Sequence, residues 1–93
     1  MEKPELSALP KLAGGVRLNE KTQQPRKLLL QGGRELRLSG PSLEIVLLCD
    51  GNHTVQQIAE KLHVLYAKAE PARVTQDLLN YLALLHDQGA IAY

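Results

Sequence analysis

The chain has no phenylalanine and no tryptophan, and its only aromatic residues are Tyr66, Tyr81 and Tyr93. Hydrophobic residues nevertheless make up 44% of the 93. The core must therefore come from leucine, isoleucine, valine and alanine, a composition that leans towards helix. One cysteine, Cys49, excludes an internal disulfide and fits a reducing compartment. There is no strong charge of either sign: eleven Lys and Arg against ten Asp and Glu leave +1, a weak field for nucleic acid or an anionic membrane. Long hydrophobic runs are also missing. The longest, Ile45 to Cys49 and Tyr81 to Leu85, reach a quarter of the ~20 residues that cross a bilayer. Pro4, Pro10, Gly14 and Gly15 interrupt the N-terminal stretch, which reads as neither signal peptide nor anchor. These absences lead us to expect a cytoplasmic protein with no membrane partner. Residues 1–15 are expected to form a flexible arm, and residues 16–93 one domain with one modest core.

The residues present divide into two periods. Val16 and Leu18 alternate with polar neighbours, and Lys27 to Gln31 and Arg34 to Leu38 flank the pair Gly32-Gly33. A two-glycine loop between such runs predicts a hairpin, and the whole a three-stranded antiparallel meander. After Leu38 the spacing becomes helical. Ser39 is placed to cap a first helix from Pro41 to Cys49, which stops at Asp50-Gly51. Thr54 and Gln57 form a capping-box pattern ahead of a second helix, whose apolar positions run from Val55 to Leu65. Pro71 opens a third helix through Val74, Leu78, Tyr81, Leu82 and Leu85, with Gly89 as its stop and Ile91 in a terminal strand or tail. The fold class is α+β: a small winged-helix-like domain, its three-stranded antiparallel sheet followed by a three-helix unit.

Catalytic patterns are weak. Cys49, Asp50 and His53 crowd together, but Cys49 falls on the apolar period of the first helix and reads as a small core residue. His53 sits on a polar turn, and His63 and His86 lie on other elements, so no metal-ligand spacing emerges. No phosphate loop or Gly-x-Ser-x-Gly elbow occurs, and the carboxylates fall on polar faces. We therefore expect no enzyme, no catalytic or metal-binding residue and no cofactor. DNA binding by a winged helix is the alternative function, but the third helix is poorly suited to phosphates. From Glu70 to Tyr93 the only Arg or Lys is Arg73, against Glu70, Asp77 and Asp87. That helix is instead apolar at seven of the eight positions Leu78 to Leu85. Either all of this is core, or one stripe lines a groove in which a peptide extends the sheet edge.

The run LCDGNHTVQQIAEKL, Leu48 to Leu62, lies between a hairpin upstream and a helix with Val74, Asp77 and Leu78 downstream. In a chain of this length it resembles the PqqD family of pyrroloquinoline quinone (PQQ) biosynthesis, from about Leu9 to Ile91. The resemblance implies a peptide chaperone and recognition element for a ribosomally made peptide. Such a protein binds the precursor PqqA and presents it to PqqE, the radical S-adenosylmethionine enzyme that crosslinks a glutamate to a tyrosine. It also implies where the peptide lies: along Glu35, Leu36, Arg37 and Leu38 of the third strand, against Val74, Asp77, Leu78, Tyr81 and Leu85 of the third helix. The chain departs from the family at Gln31-Gly32-Gly33, where many relatives have Pro-Glu-Gly, and at Leu38-Ser39, where they have Leu-Asn. Ala90-Ile91 also replaces a common aromatic near the last glycine. Exposed edges and short connections leave room for a homodimer.

Overall fold

Alternating leucines build the meander. In the computed structural model, which describes residues 2–93, β2 (Arg17–Leu18) pairs with β3 (Lys27–Leu29), and β3 with β4 (Glu35–Arg37), all antiparallel. Leu28 and Leu36 are register partners, and with Leu30 and Leu38 they turn towards the helices, while Glu35 and Arg37 face solvent. The hairpin is wider than the two-residue glycine loop expected. A short 3-10 turn spans Gln31–Gly33, and the Leu30 N–H donates to the Arg34 carbonyl at 2.8 Å, closing a three-residue loop. Both central glycines do take positive φ, 76° and 78°.

The helices are α1 (Pro41–Leu48), α2 (Val55–Leu65) and α3 (Pro71–Asp87). Ser39, expected to cap α1, does not. Gly40 holds the N-cap position with φ 54° and no side-chain bond, and Ser39 contributes only its carbonyl, to the Ser42 N–H. The capping box of α2 is complete: Thr54 Oγ1 accepts the Gln57 N–H at 3.1 Å, and Gln57 Oε1 accepts the Thr54 N–H at 2.8 Å. At the end of α3 the Gly89 N–H donates to the His86 carbonyl and the Ala90 N–H to the Leu85 carbonyl. This Schellman arrangement turns the chain into β5 (Ile91–Ala92).

Residues 2–15, which belong to the arm expected to be flexible, lie against the rest of the domain through several contacts. A strand β1 (Lys11–Leu12) pairs antiparallel with β5 in a second, two-stranded sheet, and Pro10 is buried. Further along the arm, the carbonyls of Leu6 and Ala8 accept the N–H groups of Gln56 and Val55, and the Pro10 carbonyl accepts that of Gly51. Those of Val55 and Gln56 are helix-start donors that have no partner inside α2. The arm thus completes the cap that Thr54 begins.

One core joins these layers. Leu28, Ile58, Leu62, Leu78, Leu82 and Leu85 are its largest fully buried leucines and isoleucine, each worth roughly 1.5–3 kcal/mol of transfer free energy. Among the described residues no helix is long and apolar enough to cross a membrane.

Candidate functional site: the free edge of β4 and the groove beside α3

β4 ends its sheet, and its outer edge has no strand partner among the described residues. The ladder fixes which main-chain groups are free. The Arg34 carbonyl and the Leu38 N–H bond to β3-side residues Leu30 and Arg26, at 2.8 and 2.9 Å, and Leu36 pairs with Leu28 between them. Antiparallel pairing alternates, so the N–H and C=O groups of Glu35 and Arg37 point outward. The edge therefore offers two donors and two acceptors to an extended chain. On its solvent face Arg37 is exposed and Glu35 is approached by Lys27 Nζ of β3 at 3.2 Å, whereas Arg26 turns the other way and donates to Asn19.

Polar contacts join the β4 hairpin to the end of α3 and, separately, α1 to α3. At the hairpin, Arg34 donates to the Gln88 side chain at 3.3 Å and to its carbonyl at 3.2 Å. At the other end of β4, where the chain turns from Leu38 into α1, the Ser42 hydroxyl lies by the phenol of Tyr81. Burial raises the phenol above its ordinary pKa of 10.0, with Ser42 partly offsetting the shift. Here the surface opens into a groove of about 390 Å³. Val74, Asp77, Leu78 and Tyr81 of α3 form one wall and Pro41, Ser42 and Ile45 of α1 the other. Leu62, Tyr66 and Ala69 close it from the α2 side, and Arg73 reaches Asp77 across one helical turn at 3.6 Å.

The expected peptide-contact residues therefore fall into three groups. Val74, Asp77, Leu78 and Tyr81 share the groove, with Leu78 at its floor, 1% exposed. Glu35 and Arg37 are exposed on the strand edge, with Leu36 half-buried between them. Leu38 and Leu85 are core residues, 4% and 0% exposed, and present no side-chain surface to a partner. Leu85 shares the α3 stripe of Leu78, but by that turn the helix is covered on the same side. The α1 wall and Tyr66 were missed. For Tyr66 a signal existed, its helical spacing from Leu62; for Pro41 and Ser42 it was masked by their role as a helix start.

The Cys49–His53 cluster comes apart in space. Cys49 is buried, and desolvation, with Asp50 nearby, pushes its thiol up to about 12, so it stays protonated and inert. His53 Nδ1 instead lies 3.0 Å from both carboxylate oxygens of Asp50, whose Oδ1 also accepts the Asn52 N–H. His63 Nε2 ties α2 to α3 through Thr75 Oγ1, at 3.0 Å. No group of three or more His, Cys, Asp or Glu residues able to hold a metal ion occurs among the described residues.

Comparison with known proteins agrees with this architecture. The solution structure of the PqqD truncation of Methylobacterium extorquens PqqCD superposes with a TM-score of 0.74 at 32% identity, covering 96% of this chain and 94% of that one. That protein is described as a functional, stand-alone recognition element for ribosomally synthesized and post-translationally modified peptides. The bifunctional coenzyme PQQ synthesis protein C/D of Methylorubrum extorquens is 36% identical over 77 residues. The match takes in 83% of this chain but spans only 20% of that longer relative. The family model for coenzyme PQQ synthesis protein D matches residues 15–91, and the chain belongs to the PqqD family.

Proposed function

We propose that this protein is a non-enzymatic peptide chaperone of pyrroloquinoline quinone synthesis. It binds the precursor peptide PqqA by strand addition along β4 and presents it to the radical S-adenosylmethionine enzyme PqqE. The observation that carries the reading is the outward-facing main chain of Glu35 and Arg37, an edge with no strand partner among the described residues. Main-chain bonds supply affinity in this mode, and side-chain pockets supply selectivity. The peptide-recognition role described for the M. extorquens PqqD module supports it. Residues 16–93 would be the recognition unit, stabilised by the docked arm.

Titration with PqqA tests the reading. Amide NMR signals should move along Arg34 to Arg37 and from Val74 to Tyr81, and a complex of protein, PqqA and PqqE should be recovered together. Silence towards PqqA, together with duplex DNA binding that falls steeply with salt, would reject it in favour of a winged-helix DNA binder.

A further inference from the structure

The groove beside α3 lies beyond the last free main-chain groups of β4, and its chemistry differs from that of the edge. Arg37 is the last outward-facing residue; Leu38, Ser39 and Gly40 then turn the chain, and Pro41 and Ser42 are already the groove wall. At the opposite end of β4 the Arg34–Gln88 hydrogen bonds join the hairpin to the end of α3. A chain added to β4 therefore has its open exit towards the groove. At the edge Arg37 is exposed and Glu35 is paired with Lys27, whereas the groove is lined by Ile45, Leu62, Val74 and Leu78, and its one cation, Arg73, is matched by Asp77. An apolar group fits there and an isolated carboxylate does not, because it would lose water without gaining an unpaired cation.

We infer that the groove is a socket for one bulky apolar side chain of the bound peptide, in a residue just outside the segment that pairs with β4. This rests on the strand-addition reading above. The edge holds any extended chain through its main chain; the socket supplies the choice of sequence. Tyr66, Val74 and Tyr81 are the specificity-determining residues, and the occupant is an extended peptide with an anchoring aliphatic or aromatic residue at one end.

The experiment measures affinity for PqqA and for a series of single alanine replacements at its apolar positions, on the wild-type protein and on Ala69→Trp. Ala69 is exposed at the groove's rim, so a larger side chain there fills the socket without entering the core. We expect one alanine replacement in the peptide to weaken wild-type binding by about tenfold, and that loss to vanish on Ala69→Trp. Val74→Ala, which enlarges the socket, reduces the same coupling and serves if the tryptophan disturbs the amide spectrum. Losses all within about twofold on wild type, or an equal loss on both proteins, would overturn the socket. Arg37→Pro separates the two ideas: if it leaves PqqA affinity unchanged while the socket coupling persists, strand addition fails and the socket remains. If wild-type protein does not bind PqqA at all, both fail.

Discussion

The carbonyl oxygen of Ala8 accepts the N–H of Val55, the first residue of α2, at 3.0 Å. The same segment supplies the Leu6 carbonyl to Gln56, so the N-terminal arm acts as part of the helix cap. Removing residues 1–9 should therefore lower stability by about 1–3 kcal/mol, from these two lost hydrogen bonds, that of the Tyr93 hydroxyl to the Glu2 carbonyl, and the contacts around them. Urea unfolding measures this, and an unchanged midpoint would mean that the arm contributes nothing.

Thr54→Ala removes the other half of that cap. The expected cost is about 1 kcal/mol, read from the same unfolding curves. PqqA affinity should hardly change, because Thr54 lies away from both β4 and the groove.

Proline distinguishes the two sides of β4. At Leu36 it removes an N–H that faces β3 and should destabilise the sheet strongly, whereas at Arg37 it removes one that faces outward. Arg37→Pro should therefore keep a folded circular dichroism and amide spectrum yet lose most of its PqqA affinity in calorimetry.

Acid should loosen the turn between α1 and α2. Asp50 has its pKa lowered below 3.8, first by the His53 hydrogen bond and then by the Asn52 N–H. A depressed carboxylate stabilises the fold at pH above its unfolded value, and that contribution is lost as pH falls through the folded one. Below about pH 4 the wild type should thus lose more stability than Asp50→Asn, in parallel unfolding series.

Much of this arrangement was legible in the sequence, for local reasons. Thr54 and Gln57 carry their cap in their own side chains, and Gly32-Gly33 marks a hairpin by backbone freedom alone, although not the loop length. The docked arm was not legible because Leu6, Ala8 and Pro10 act through main-chain carbonyls, which every residue has. Leu85 was misplaced because periodicity marks a helix face without saying where along the helix another layer covers it. The groove was half visible: Val74, Leu78 and Tyr81 stand on one stripe, but Pro41 and Ser42 oppose them only once α1 and α3 pack together.

The central claim is that PqqA becomes a further strand on β4. Amide hydrogen exchange, measured residue by residue with and without PqqA, tests it most directly. The N–H groups of Glu35 and Arg37 should exchange fast in the free protein and become strongly protected in the complex, while that of Leu36, already in the ladder to Leu28, changes little. Equal exchange at Glu35 and Arg37 in the free and PqqA-saturated protein would contradict the account.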